Sequence, residues 1–134
     1  MSALSVKSVM VDLAAAVQPE LDGGRTAHPR PVEALQPGDA VVGYPTDPMS
    51  ISTTFRRGQD RATFPVFVIC GMPQDESTQT AVDALVGSGS IVAAIEAYAG
   101  TWQSVSVTQA SIVEYTPTGG SPMVALRFDV DVIA

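Results

Sequence analysis

Residues 54–71 read Thr-Phe-Arg-Arg-Gly-Gln-Asp-Arg-Ala-Thr-Phe-Pro-Val-Phe-Val-Ile-Cys-Gly. The second half, Phe64 to Cys70, is almost uniformly apolar, with Pro65 near its start and Gly71 just past its end. A short apolar run bounded by turn residues predicts a strand buried on both faces. The first half, Arg56-Arg57-Gly58-Gln59-Asp60-Arg61, is a compact charged turn holding three of the seven basic residues. A rigid core strand that holds out a polar tip suits gripping a neighbouring molecule better than catalysis, and no reaction motif accompanies it.

On the N-terminal side, Val6, Val9, Met10, Leu13 and Val17 recur at three- and four-residue spacing. That is one apolar helical stripe, so a helix is predicted over Ala3 to Val17, capped by Ser2 and stopped by Pro19. Gln18 to Gly38 is rich in Pro and Gly and reads as an irregular arm, too long for a simple connection. A short strand is expected over Asp39 to Tyr44, ended by Pro45, and a weakly alternating one over Met49 to Thr54.

On the C-terminal side, Asp75 to Val86 predicts a helix with Ala81, Val82, Leu85 and Val86 turned inward. Gly87-Ser88-Gly89 breaks it, and Ser90 is positioned to cap a second helix carrying Ile91, Val92 and Ile95. A hairpin closes the chain. Val105 and Val107 alternate with polar residues, then lose phase before Ser111 to Tyr115, which predicts a bulge near Gln109. Thr116 to Pro122 makes the turn. Met123 to Ala134 returns with Phe128, Val130 and Val132 on one face and Arg127, Asp129 and Asp131 on the other.

The 134 residues suit a single domain. Charged residues make up only 16% of the chain against about 25% in ordinary soluble domains. Either other subunits cover part of the surface, or a Ser/Thr-rich surface replaces charge. A net charge of -7 argues against a grip on nucleic acid, which needs clustered Lys and Arg. The start of the chain has neither the charged region nor the continuous apolar region of a signal peptide, and no apolar run reaches membrane-span length, so a cytoplasmic site of synthesis is expected.

The groups able to do chemistry are few. Cys70 is alone and reads as a small buried hydrophobe, with no disulfide and no metal role. His28 is the only histidine and stands in the Pro-rich arm, away from other ligands, so no metal or cofactor is expected. Asp129 and Asp131 share a strand face as a catalytic carboxylate pair could, but acid–base work also needs a cleft and a raised pKa. A solvated or interface-facing strand edge is the simpler reading. Gly87-Ser88-Gly89 lacks the lysine of a phosphate loop, and Tyr98 with Trp102 reads as an apolar lid on the second helix. Together these readings predict a protein that is not an enzyme.

Three segments in order carry a family resemblance. Asp39-Ala-Val-Val-Gly-Tyr-Pro45 is followed by the 54–68 segment and then by Leu85-Val-Gly-Ser-Gly-Ser-Ile-Val-Ala-Ala-Ile-Glu96. With the closing Phe-Asp-Val-Asp-Val strand, this resembles the tail terminator (head-to-tail connector) proteins of actinobacteriophages with long flexible tails, over about Leu35 to Ala134. Arg56 departs from the pattern, where a small residue is expected.

The resemblance implies an α+β fold: a twisted, mostly antiparallel sheet with the N-terminal and central helices packed on one face and a C-terminal β-hairpin. It also implies a structural virion protein at the head–tail junction, assembled in the host cytoplasm. Such subunits form a homohexameric ring on the head-proximal end of the tail tube. The ring stops tube polymerisation, meets the major tail tube protein and the head-side connector proteins, and lets DNA pass through its lumen without specific binding. No membrane is involved. Arg56, Arg57, Asp60 and Arg61 are then the expected subunit or tube contacts, with His28 and Arg30 of the arm as a second contact. Another neck component, such as a head-closure or connector protein, is the nearest alternative reading, and a small ligand-binding module a more distant one.

Overall fold

Ser5, in extended geometry, accepts a hydrogen bond from the Ser8 backbone N–H through its side chain and opens helix α1, Val6–Val17. The computed structural model describes residues 5–21, 25–32, 35–45, 61–100, 102, 104–117 and 121–133. The helix therefore begins three residues later than the Ala3 expected from periodicity, and the cap is Ser5. Ser2 lies outside the described residues. α1 ends at Val17 as expected, and one 3-10 turn, Gln18–Glu20, carries Pro19.

The arm is partly built into the sheet. Its residues Ala27–His28 form β1, which runs parallel to β2, Ala40–Val42. Next in space comes β3, Arg61–Gly71, then β5, Met123–Ile133, with β4, Ser104–Tyr115, outermost. All pairings except β1 with β2 are antiparallel. This is the α+β architecture expected, with α1, α2 (Glu76–Ser88) and α3 (Ser90–Ala97) completing it. The Met49–Thr54 strand lies outside the described residues.

β3 is the central strand, and it is buried on both faces as its apolar run predicts. A proline is tolerated there because of where its missing donor points. The Gly43 N–H donates to the Pro65 carbonyl at 2.8 Å, so this residue faces β2 just beyond that strand's last paired residue, Val42. No bond to β5 is lost.

Two apolar clusters lie on the two faces of the sheet. The larger joins Val9, Met10, Leu13 and Val17 of α1 and Ile91 and Ile95 of α3 to Phe64, Val66, Phe128, Val130 and Val132. Tyr98 and Trp102 pack against it, ring centroids 6.1 Å apart, in the lid position. The smaller joins Leu35, Val41, Ile69 and Ala125, with Val32, Phe67, Val113 and Tyr115 against it. Each fully buried side chain of this size contributes about 1.5–3 kcal/mol.

Three local expectations change. Val86 is 63% exposed rather than inward, and Thr78 is the one fully buried residue of α2 among those described. Gly89, at φ +64°, ends α2 and also precedes α3, so the left-handed glycine makes the junction and Ser90 is already helical. β5 is interior to the sheet, and its Asp129 and Asp131 are 7% and 9% exposed, not a solvated edge. The bulge in β4 does occur, between Val107 and Gln109.

Candidate functional site

Of the charged-turn residues, Arg56, Arg57 and Asp60 lie outside the described residues, and Arg61 is the first residue of β3. The register sets Arg61 opposite Ile133 and places Thr63 against Asp131. Arg61 reaches Asp131 with two parallel bonds, Nε to Oδ1 at 3.1 Å and a terminal nitrogen to Oδ2 at 2.6 Å. Two-pronged pairing of this kind fixes the orientation of both groups. Its hydrogen bonds and charge raise the Arg61 pKa further above its ordinary value. The Arg61 side chain is still 60% exposed. Arg61, where the charged segment meets β3, is thus tied to the far C-terminal strand.

Asp129, two residues away on the same face of β5, is held differently. One oxygen accepts from Arg127 Nε at 2.7 Å and the other from Gln109 Nε2 at 2.6 Å. The bulge brings Gln109 opposite Asp129 and makes the second bond possible. Arg127 also lies over the Phe67 ring, 5.9 Å from its centroid. Both carboxylates are therefore occupied by donors, an arrangement that fixes strand register and leaves neither as an open acid–base pair.

In the arm, His28 and Arg30 part company. His28 Nε2 stands 3.7 Å from Asp39 Oδ2, a contact that becomes an ion pair when the imidazole is protonated. Arg30 is exposed. Asp39 is the organiser that sequence reading passed over. Its side chain accepts from the backbone N–H groups of Thr26 and Gln36, each at 3.1 Å, and its carbonyl accepts from Ile69 N–H at 2.8 Å. Gln18 adds to this by donating to the Arg25 carbonyl and accepting from Ala27 N–H. Arg25 in turn bonds the Gln36 side chain. The signal available in sequence was Pro37-Gly38-Asp39, a turn in which aspartate readily takes backbone donors.

Cys70 is buried, with its thiol directed to the Val68 carbonyl at 3.7 Å. Desolvation raises its pKa, partly countered by a backbone hydrogen bond from the Leu126 region. Among the described residues, no group of three His, Cys, Asp or Glu side chains is placed to hold a metal ion, and no single helix is long and apolar enough to cross a membrane. No protein-family model matches the chain, and no curated protein matches it.

Proposed function

We propose that this chain is a structural virion protein of a long-tailed bacteriophage, a tail terminator whose ring caps the head-proximal end of the tail tube and joins it to the head connector. The observation that carries the reading is the order of the three resembling segments. They fall on β2, on β3 with the preceding residues 54–60 outside those described, and on the α2–α3 junction of an α+β domain of the class that the resemblance implies. The low charge fraction supports subunit contacts, and the net charge of -7 suits a passage through which DNA slides without sticking. Arg57, in the charged segment before Arg61 and outside the described residues, is the group we assign to a neighbouring subunit or the tube.

The test is the mass of the purified protein by light scattering, alone and with isolated tail tubes of its phage, combined with tube length by electron microscopy. A ring that forms alone or on the tubes and limits their length is expected. A chain indifferent to tubes overturns the reading. Arg57→Glu should block docking without changing the melting temperature.

A further inference from the structure

The basic residues are unevenly placed along the chain, while acids occur throughout it. No Lys or Arg occurs between Arg61 and Arg127, whereas Asp75, Glu76, Asp83, Glu96 and Glu114 fall in that interval. This interval supplies α2, α3 and the edge strand β4, with α3 packed against β4 and α2 against β3 and β5. There an open apolar groove of about 390 Å³ lies between the α2–α3 junction and the outer strand, lined by Leu85, Val86, Val92, Ala110 and Ile112 among others. Val86 and Ile112 are both more than 60% exposed. Asp83 stands one helical turn from Val86, and Glu114 lies two residues beyond Ile112 on the same strand face, so acids rim this groove.

At the opposite edge, beside β1 and β2, a second apolar groove of about 400 Å³ is lined by Val6, Met10, Val11, Pro29 and Tyr44. Tyr44 is 58% exposed, and among the described residues the charged side chains in the lining are Lys7 and Arg30. The two edges are separated by the width of five strands, roughly 19 Å between β1 and β4. Each carries an apolar patch, one rimmed by acids and the other by bases.

β4 adds a second kind of opening. Among the described residues it pairs only with β5, and its twelve residues include no Lys, no Pro and one charge, Glu114. Those are the residues that usually keep a free edge from pairing with another chain. One outward N–H, that of Val107, is taken by the Glu96 carboxylate at 3.2 Å.

We infer that the α2–α3–β4 side of one copy docks on the α1–arm side of a second copy, head to tail, with Asp83 and Glu114 facing Lys7 and Arg30. A contact between two different surfaces repeats from copy to copy and closes into a ring when the rotation permits. Opposed charge on the two edges selects this pairing, because acid edge against acid edge repels. The inference supplies the contact for the ring proposed above, yet it rests on the charge and apolar pattern and not on the tail-tube assignment.

The experiment is sedimentation of the full chain at low and high salt, with two double variants. Lys7→Glu/Arg30→Glu makes both edges acidic, and Asp83→Lys/Glu114→Lys makes both basic. All four side chains are exposed, so melting temperatures should stay near that of the wild type. The wild type is expected to self-associate, and each variant alone to associate at least about tenfold more weakly. An equimolar mixture of the two should recover association, since opposite charges then meet at every contact. A wild type that stays monomeric up to millimolar concentration at low salt overturns the inference, as does a mixture that fails to recover. Association that survives Lys7→Glu/Arg30→Glu points to two-fold pairing through β4 and also overturns it. A chain that associates as described but ignores tail tubes leaves the inference standing while the virion reading falls.

Discussion

The two faces of β5 are both buried, but by opposite chemistry. Phe128, Val130 and Val132 sink into the apolar layer under α1 and α3, while Asp129 and Asp131 on the other face are covered with their charges matched by Arg127 and Arg61, and Gln109 adds a neutral donor. Strand alternation therefore reports which residues share a face, not whether that face meets water. The apolar side is non-directional and tolerates small shifts, whereas the ionic side demands specific partners. One side supplies most of the stability, and the other supplies register.

The sharpest way to test that division is to damage the faces one at a time. Phe64, completely buried against the helical layer, is the largest of the fully buried side chains among the described residues. Phe64→Ala should cost about 3–5 kcal/mol through lost burial and the cavity left behind. Urea denaturation followed by circular dichroism reads this directly. A loss below about 1 kcal/mol would mean that the helical layer is not the main source of stability.

On the ionic face, Asp129→Asn should cost less, about 1–3 kcal/mol. A carboxylate only accepts, and both of its oxygens here receive donors; an amide sets its own NH2 group against either Gln109 or Arg127. The distinguishing readout is register. Amide exchange should quicken at the bulge around Val107 to Gln109 and stay slow in Val66 to Val68. Uniform quickening in both segments would erase the contrast between the faces.

That contrast also marks how far the sequence could be read. The buried β3, the apolar stripe of α1 and the β4 bulge follow from spacing alone, because each depends on neighbours a few residues away. The bulge was legible because Val105 and Val107 fall out of phase with the segment that follows. The ionic face was not legible. Gln109 is 20 residues from Asp129 and Arg61 is 70 from Asp131, so alternation showed three polar residues with no sign of what covers them. Val86 failed for a related reason: a helical period identifies a stripe but not how much of it the sheet is wide enough to cover. The arm was half legible, since its Pro and Gly content showed irregular backbone while Asp39, which ties it down, reads only as the start of a short strand.

The smallest expected effect concerns two groups kept neutral by burial, Cys70 on β3 and Tyr115 at the end of β4. Desolvation raises the pKa of both, and Tyr115 is packed against Phe67 with ring centroids 4.9 Å apart. In the unfolded chain the thiol ionises near about 8.5 and the phenol near about 10. Above each of those values the unfolded state releases a proton that the folded state retains, so stability present at lower pH falls as pH rises. The decline has a limiting slope of about 1.4 kcal/mol per pH unit for each group. It begins above pH 8 for Cys70 and about 1.5 units higher for Tyr115. Melting temperature measured from pH 7 to 10.5 should therefore drop in two stages. Cys70→Ala removes the first stage and Tyr115→Phe the second, each measured against its own value at pH 7 to subtract the packing change. A profile that is flat to pH 10, or a native thiol alkylated as fast as free cysteine at pH 8, would show that the inner strand is open to water and that the apolar and ionic halves of the sheet are not sealed alike.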